Sequence, residues 1–241
     1  IITNHNYGRF LAASIRSALD QTYPNVEIIV IDDGSTDDSL EVLEGFGDGI
    51  RAILSRNLGQ AGALNEGVAA SRGEDLFFLD ADDLCAPNRV ARIVEYFKTA
   101  ADADWIHHRL QVVDERLERV GACIPESTRT DRIPANAWRV AERVVVAPTS
   151  AIALRRATVP AVFPLPRTLG NVELRWDIDA VLIARLTASG AVGWGLAENL
   201  GSYRRHSGQQ YTGYTDTAAI LERHIAVTRV VAEVATGLGS D

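Results

Sequence analysis

The sequence predicts an α/β domain built on a doubly wound, mostly parallel sheet with flanking helices. Short β-branched runs, such as residues 26–31, alternate with segments whose apolar residues recur at helical spacing, such as residues 9–21. This alternation continues through the first half of the chain and is typical of a parallel sheet covered by helices. Two acidic clusters, residues 32–37 and 80–83, each directly follow a predicted strand.

The first half contains the more regular part of the pattern. Strands are predicted where short apolar runs end at polar turns, at residues 1–3, 26–31, 50–54 and 76–79. Helices are predicted from apolar spacing, at residues 9–21, around Leu40, Leu43 and Phe46, at residues 60–71 and from Pro87 to Phe97. Ser35 or Thr36 is expected to cap the second helix, and Gly73 is expected to end the third.

The order is less regular after Asp104. Residues 105–113 are predicted to form a strand, and residues 144–154 one or two short strands around Pro148. Loops are predicted at residues 128–136 and at residues 158–170, which contain three prolines. The remaining predictions are a helix at residues 177–189, strands at residues 192–196 and 200–204, and a last helix at residues 215–235.

Composition excludes several classes of function. A net charge of −8 and a pI near 5.2 argue against a nucleic-acid-binding surface, which would need clustered Lys and Arg. The two cysteines, Cys85 and Cys123, lie far apart without metal-ligand spacing, so we expect a reducing compartment. Neither a membrane-length apolar run nor a signal segment is present. We expect a cytoplasmic protein, with peripheral membrane association left open, whose chain continues before Ile1.

The two acidic clusters are the strongest indication of function. Carboxylates at the carboxyl ends of buried strands lie where an open α/β sheet binds its ligand. One cluster is expected to bind a polar ligand, and the other to hold a divalent cation against phosphates of that ligand. The simpler alternatives are an Asx turn with a helix cap for residues 32–37, and a helix cap for residues 80–83.

A series of motifs extends over nearly the whole chain. In order, they are Thr3-Asn4-His5-Asn6-Tyr7, residues 17–24, residues 32–37, Arg56-Asn57-Leu58-Gly59, residues 63–67, Arg72-Gly73-Glu74, Asp80-Ala81-Asp82-Asp83, Asp179 with Arg185-Leu186, and Tyr203-Arg204-Arg205-His206. Each motif is weak alone, but their order and spacing resemble the inverting nucleotide-sugar glycosyltransferases of family 2, which have the GT-A fold. The resemblance implies one GT-A domain with a smaller, acceptor-side C-terminal part.

The resemblance also implies a set of nucleotide-sugar-binding residues, namely Thr3, Asn6, Asp32, Asp33, Arg56, Asn57 and Asp80. By position, Asp33 and Thr3 would hold the base, with Asn6 nearby. Asp32 would support the loop or reach the ribose. Arg56 and Asn57 would contact the nucleotide or the donor sugar, although a flexible entry to the next helix is the alternative for this segment.

A divalent cation, Mn²⁺ or Mg²⁺, is the expected cofactor. Such a cation prefers oxygen ligands and stabilises a leaving diphosphate as a Lewis acid. Asp82 is the first candidate for a direct ligand, and Asp83 is its rival. Asp80 would meet the ribose or a metal-bound water, and the resemblance suggests His206 as a further ligand or a diphosphate contact.

Asp179 is the candidate catalytic base, because it lies six residues before Arg185 at the spacing found in the family. A carboxylate in this role takes the proton of the acceptor hydroxyl while the anomeric centre inverts. Asp177 is the rival for the role, and either residue could instead cap the following helix.

The implied reaction moves one sugar from a nucleotide sugar, expected to be a UDP-sugar, to a glycan or lipid-linked saccharide. A single addition is expected because the Gln-x-x-Arg-Trp motif of processive members is incomplete here, with Val172 in the glutamine position. Residues 1–103 would form the nucleotide-sugar-binding half, and residues 104–241 the acceptor-binding half. The alternatives are a sugar-phosphate nucleotidylyltransferase and a non-catalytic nucleotide-sugar-binding protein.

Overall fold

The computed structural model describes residues 1–134, 146–169, 172–173 and 178–207. Its α-helices are α1 (Gly8–Leu19), α2 (Ser39–Glu44), α3 (Gly59–Ala70), α4 (Arg89–Thr99), α5 (Val159–Val162) and α6 (Ile178–Ala188). Its strands are β1 (Ile2–Asn4), β2 (Ile29–Asp32), β3 (Arg51–Leu54), β4 (Asp75–Phe77), β5 (Leu79–Asp80), β6 (Leu84–Cys85), β7 (Trp105–Val113), β8 (Arg119–Ile124), β9 (Asp131–Ile133), β10 (Ile152–Arg155), β11 (Thr168–Leu169), β12 (Val172–Glu173) and β13 (Gly193–Arg204).

A parallel sheet in the order β3-β2-β1-β5 forms the N-terminal part of the domain. Ile2 of β1 pairs with Val30 of β2 on one side and with Leu79 of β5 on the other. All residues of β1 and β2 are buried, as expected for parallel strands that are covered on both faces. The carboxyl end of β1 therefore lies between the carboxyl ends of β2 and β5.

A second, mixed sheet continues the first. Its order is β4-β10-β7-β13-β6, with β8 beside β7 and β9 beside β13. Strands β7 and β13 are parallel, whereas β10 pairs antiparallel with both β4 and β7. One fully buried residue, Phe78, separates β4 in this sheet from β5 in the parallel sheet. The segment 75–80 therefore joins the two sheets and ends at the second acidic cluster.

Helices cover both faces of the sheets. Side chains alternate along a strand, so Trp105 joins an apolar cluster with α3 and α6, whereas its neighbour Ile106 packs with α4. In the parallel sheet, Val30 packs with α1 and α2, whereas Ile31 contacts α3. The domain is therefore a three-layer α/β/α structure, which confirms the predicted fold class.

Most elements of the predicted pattern are present. Strand β7 has the predicted bounds, and α1, α3, α4 and α6 agree with their predictions within two residues at each end. The strand predicted at residues 26–31 is wrong at its start, because β2 begins at Ile29. Val26 and Ile28 are β-branched, but residues 26–28 have no paired neighbour in the sheet, and side-chain preference alone does not form a strand.

The predicted caps of two helices were wrong. Helix α2 begins at Ser39, too late for a cap at position 35 or 36. Ser35 donates its backbone N–H to Asp32, and Thr36 donates its own to Asn6, so both residues belong to the turn before the helix. Helix α3 ends at Ala70, before the predicted Gly73, because the backbone is already extended at residue 71.

The second half differs more from the predictions. Residues 193–204 form one strand rather than two, with register shifts on either side of Asn199 that interrupt its apolar alternation. Strand β8 was not predicted, because it depends on antiparallel pairing with β7 and four of its six residues are exposed. Strand β9 lies within the predicted loop 128–136, and α5 within the predicted loop 158–170.

Some predictions fall on residues outside the described ranges. These are the helix predicted at residues 215–235, the beginning of the strand region 144–154, and Asp177 with the preceding Arg175-Trp176 pair. Among the helices that the structure does describe, none combines the length and the apolar composition that a bilayer crossing requires.

Candidate functional site

Three neighbouring strand ends bring the two acidic clusters together. Because β2, β1 and β5 are parallel, Asn4 pairs with Asp32 on one side of β1, and Thr3 pairs with Asp80 on the other. The side chains also meet, since Asn4 Nδ2 donates to Asp32 Oδ2 at 2.7 Å and Thr3 Oγ1 donates to Asp80 Oδ1 at 3.3 Å. Residues that are about fifty positions apart in sequence therefore form one site at the edge of the sheet.

Asp32 is held entirely within the protein. It is only 1% exposed, and its Oδ1 accepts the backbone N–H of Ser35 at 2.9 Å. Its Oδ2 accepts the Ser35 hydroxyl at 2.6 Å in addition to the Asn4 amide. With both oxygens engaged, this carboxylate fixes the turn after β2, and the geometry favours loop support over contact with a ribose.

Asp33 joins this turn to the segment after β3. Its Oδ1 accepts the backbone N–H of Leu58 at 2.6 Å, and its own N–H donates to the carbonyl of Asn4. Gly34, with φ +75°, permits the close approach, because a Cβ at this position would lie 3.0 Å from the backbone nitrogen of Asn57. Among the described residues nothing donates to Oδ2 of Asp33, which leaves this oxygen for a ligand.

Residues at the rim of the same turn are exposed. Asn6 has a left-handed backbone, with φ 59°, and its Oδ1 accepts the N–H of Thr36 at 2.7 Å. Arg56 and Asn57 present exposed side chains beside the Asp33 turn. The structure therefore brings Thr3, Asn6, Asp32, Asp33, Arg56 and Asn57 to one edge of the sheet.

Asp80 is clamped by three residues. Thr3 Oγ1 and Gln60 Nε2 both donate to its Oδ1, the latter at 2.9 Å, and its backbone N–H donates to Ser150 Oγ at 3.0 Å. Burial, followed by the negative charges of Asp82 and Asp179, raises the pKa of Asp80 to about 7. The carboxylate is thus fixed in position and surrounded by like charge.

Asp82 and Asp83 have different surroundings. Asp83 is 1% exposed and accepts the backbone N–H of Arg204 at 2.9 Å. Burial, followed by the charges of Asp82 and Asp80, raises the pKa of Asp83 well above its usual value. Asp82 is slightly more accessible, and its Oδ2 lies 3.1 Å from Nε2 of His206. The tail after β13 therefore closes over this acidic cluster.

His206 is enclosed by aromatic residues of the first helix region. Its side chain is fully buried, and its ring centroid lies 4.6 Å from that of Phe10 and 5.4 Å from that of Tyr7. The Tyr7 contact is edge-on, whereas the Phe10 contact is tilted. These contacts fix the plane of the imidazole beside Asp82.

Asp179 reaches the same site from helix α6. It lies in the first turn of the helix, and its Oδ1 accepts the backbone N–H of Ala180 at 2.8 Å. Its charge contributes to the raised pKa values of Asp80 and of Tyr203, which place it near the acidic cluster. For Tyr203, burial is the largest cause and the carboxylates add to it. Asp177, the rival for the role of base, lies outside the described residues.

The second acidic cluster has the donor chemistry that a hard divalent cation prefers. Within the described ranges, no three His, Cys, Asp or Glu side chains surround a common point as metal ligands. Mg²⁺ and similar cations are often held by one or two carboxylates and by phosphates of the substrate, so Asp82 and Asp83 fit such a site. The raised pKa of Asp83 also indicates buried negative charge that a cation would offset.

Three residues of the site were not found by sequence reasoning. Gln60 follows Gly59 at the start of α3, in a segment already expected to contact the ligand. Ser150 lies 70 positions from Asp80, whose backbone N–H its hydroxyl accepts, and no local pattern distinguishes it. Arg9, on an exposed face of α1, contacts His206 across 197 positions. Only the position of Gln60 carried a usable signal.

Comparisons with known proteins identify the family of the chain. Residues 1–156 match the family model described as glycosyl transferase family 2. An uncharacterized glycosyltransferase of Nostoc sp. (strain PCC 7120) is 35% identical over 224 residues, covering 88% of this chain and 65% of that protein. The UDP-Glc:alpha-D-GlcNAc-diphosphoundecaprenol beta-1,3-glucosyltransferase WfaP of Escherichia coli is 34% identical over 101 residues, covering 41% of this chain and 40% of that protein. The chain thus spans less than two thirds of either relative.

Solved structures share the fold. The structure of S. aureus TarS 1-349 with UDP-GlcNAc has a TM-score of 0.72 at 14% identity, covering 98% of this chain and 70% of that one. The structure of the same protein with UDP has a TM-score of 0.70 at 15% identity, covering 100% of this chain and 66% of that one. These structures support the expected GT-A-like fold, and the family model supports the resemblance found in the motifs. The chain belongs to glycosyl transferase family 2.

Proposed function

We propose that this protein is a metal-dependent, inverting glycosyltransferase that moves a single sugar from a UDP-sugar to a saccharide or lipid-linked saccharide. The observation that carries the proposal is the convergence of Asp33, the acids at 80, 82 and 83, and Asp179 at one edge of the sheet. The relative from E. coli is named for a UDP-glucose donor, and the TarS structures contain UDP or UDP-GlcNAc.

The first acidic cluster would bind the nucleotide. Oδ2 of Asp33 can accept a ring N–H of uracil, because Oδ1 is already occupied by the Leu58 N–H. Thr3 and Asn6 lie beside this turn, and Arg56 and Asn57 are exposed at its rim. Asp80 would meet the ribose, and Asp32 would hold the loop.

The second acidic cluster would hold Mn²⁺ or Mg²⁺ through Asp82, with Asp83 beside it. When bound, the cation supplies Lewis-acid stabilisation of the leaving diphosphate. Asp83 keeps its carboxylate in place through the Arg204 N–H, and His206 contacts Asp82. Asp80 is fixed by its own three partners and adds negative charge to the cluster.

Asp179 would act as the catalytic base. Its carboxylate lies near the acidic cluster at the start of α6, where it would take the proton of the acceptor hydroxyl as that oxygen attacks the anomeric carbon. A single attack opposite to the leaving diphosphate inverts the anomeric configuration. Asp177 is the alternative base.

The acceptor would bind to the half formed by residues 104–241, and residues 1–103 would bind the donor. We expect a cytoplasmic enzyme that adds one sugar and is free to associate peripherally with a membrane. The alternatives are a nucleotide-sugar-binding protein without catalysis and a sugar-phosphate nucleotidylyltransferase. The former would bind nucleotides without releasing sugar, and the latter would release or consume pyrophosphate.

Calorimetric titration with UDP, GDP and dTDP, each with and without Mn²⁺, tests the proposal. We expect UDP to bind with Mn²⁺, Asp82→Ala to lose the Mn²⁺ dependence, and Asp33→Ala to weaken UDP binding by roughly 10- to 100-fold through loss of a charged hydrogen bond. Asp48→Ala, at an exposed acid in the turn before the amino end of β3 and so at the opposite end of the strands, is the matched control. Failure of all three nucleotides to bind the wild type under either condition would contradict the proposal.

A further inference from the structure

The side chain of His5, in the loop after β1, contacts the turn that contains Asp33. Nδ1 of His5 lies 2.8 Å from the backbone carbonyl oxygen of Asp33, and Nε2 lies 3.3 Å from Nδ2 of Asn6. A carbonyl oxygen can only accept a hydrogen bond, so Nδ1 must carry the proton that it donates. His5 thus holds the peptide group that follows Asp33.

The second contact of His5 also has a fixed direction. Oδ1 of Asn6 accepts the backbone N–H of Thr36 at 2.7 Å, and a backbone N–H can only donate. The other end of the Asn6 amide, Nδ2, therefore faces His5 and donates to Nε2. A neutral imidazole with its proton on Nδ1 fits both contacts, because Nε2 then has the free lone pair.

Together these hydrogen bonds form a bridge across the turn after β2. The bridge runs from the carbonyl of Asp33 through His5 and Asn6 to the N–H of Thr36. Ser35, inside the turn, adds a contact to the same loop, because its hydroxyl accepts the backbone N–H of Asn6 at 2.9 Å. The loop after β1 therefore holds the turn at both of its ends.

The bridge fixes the residue that is proposed to bind the base. The N–H of Asp33 donates to the carbonyl of Asn4 at 2.8 Å, so His5 completes the anchoring of this backbone on the carbonyl side. Oδ1 of Asp33 accepts the N–H of Leu58. Because the backbone is held on both sides and one carboxylate oxygen is engaged, the direction of Oδ2 is determined.

We propose that His5 is a positioning residue for base recognition, which holds the Asp33 turn so that Oδ2 of Asp33 meets the uracil ring in one orientation. The inference rests on the proposed function, in which Asp33 binds the base. A supporting residue of this kind keeps a binding group in its productive geometry. His5 is partly exposed, so its replacement removes the bridge without opening a cavity in the core.

Calorimetric titration with UDP and with CDP, both in the presence of Mn²⁺, tests the proposal. The two nucleotides differ only in the base, and N3 is a hydrogen-bond donor in uracil but an acceptor in cytosine. The ratio of the two affinities therefore measures the contact with Asp33. We expect the wild type to prefer UDP. His5→Phe keeps an aromatic ring without nitrogen atoms, and it should bind UDP roughly tenfold more weakly while its affinity for CDP stays within about twofold.

His5→Gln is the conservative variant. Its amide can still donate from nitrogen to the Asp33 carbonyl and accept at oxygen from Asn6, so it should keep most of the preference for UDP. Thermal unfolding checks that each variant is folded, and His5→Ala provides the same comparison if His5→Phe does not fold. A residue that only stabilised the fold would change the unfolding temperature and leave the ratio of affinities as it is in the wild type.

Nitrogen-15 NMR of the histidine rings tests the contacts of His5 in the nucleotide-free protein. In the full chain labelled at histidine, the His5 signals are those that disappear in His5→Gln. At about pH 8, where an ordinary histidine is neutral, we expect a proton on Nδ1 and none on Nε2.

Three results would overturn the inference. They are a proton on Nε2 of His5 in the wild type, an unchanged preference for UDP in His5→Phe, and an equal loss of affinity for UDP and CDP in that variant. If the wild type bound neither nucleotide, the proposed function would fail, whereas the spectra of the nucleotide-free protein would still decide whether His5 forms the bridge.

Discussion

At the scale of single residues, the carboxylates of the site differ in how many of their oxygens the protein already uses. Asp32 has both oxygens bound to its own turn, whereas Asp33 accepts a side-chain hydrogen bond from the described residues only at Oδ1. Asp80 is clamped by Thr3, Gln60 and Ser150. Sequence reasoning could identify these acids from their position after strands, but not which of them are saturated, because several of the saturating groups, such as Asn4 for Asp32 and Ser150 for Asp80, come from distant segments.

The role of Asp179 is tested by Asp179→Asn, which keeps the shape of the side chain but removes its ability to take a proton. We expect kcat to fall by roughly 10²- to 10⁴-fold, because a general base contributes about that much. The affinity for UDP with Mn²⁺ should stay within about twofold, since the nucleotide-binding turn is not altered. Initial rates of UDP release from a UDP-sugar with a screened saccharide acceptor, together with calorimetry, measure both quantities.

Asp48→Asn is the control for Asp179→Asn, because it makes the same chemical change at an exposed position. Normal turnover in Asp179→Asn would assign the base to Asp177 or to another group. A parallel loss of UDP affinity and turnover would instead indicate that Asp179 supports donor binding.

At the scale of elements, the buried Arg89 joins helix α4 to the sheet. It is 1% exposed, and its Nε donates to His108 Nε2 at 2.9 Å. Its Nη1 donates to the Phe78 carbonyl at 3.0 Å, and its Nη2 to the Ile152 carbonyl at 3.3 Å. The planar guanidinium thus reaches β7, β10 and the junction between β4 and β5 at Phe78.

Arg89→Lys should lower the free energy of unfolding by about 3 kcal/mol. A lysine ammonium cannot reach three acceptors that lie in different directions, and each buried acceptor left unsatisfied costs about 1–3 kcal/mol. Urea denaturation of both proteins measures the difference. Arg16→Lys, at an exposed position in α1, should change stability by less than about 0.5 kcal/mol. A loss below about 1 kcal/mol in Arg89→Lys would show that the three hydrogen bonds are not needed together.

At the scale of the whole molecule, the sequence predicted the layers better than the connections between them. The aromatic and β-branched residues of β7 and the periodicity of α1 and α3 depend on local composition, so their bounds were predictable. The pairing of β10 with both β4 and β7, and the contact of Ser150 with Asp80, join segments far apart in the chain. Such contacts depend on the register of the assembled sheets, for which a single sequence contains no periodic signal.

Two buried ionisable groups, His107 and Asp80, change the stability of the fold with pH in opposite directions. Burial lowers the pKa of His107 to about 4, so acidification favours the unfolded chain, where this residue binds a proton more readily. The raised pKa of Asp80, about 7, acts in the opposite direction, because the folded protein binds that proton first. Wild-type stability between pH 7 and pH 5 is therefore a difference between opposing contributions.

Replacement of His107 separates these contributions. Protonation of His107 in the unfolded chain, where its pKa is near 6.5, should lower the free energy of unfolding of the wild type by about 2 kcal/mol between pH 7 and pH 5. His107→Phe and His107→Gln should both lack this loss, so their stability relative to the wild type should rise by about 2 kcal/mol over the same interval. Urea denaturation at each pH measures the effect. Because the two variants differ in packing but share the missing charge, a common shift would identify titration as its cause, whereas stability curves parallel to the wild type would exclude it.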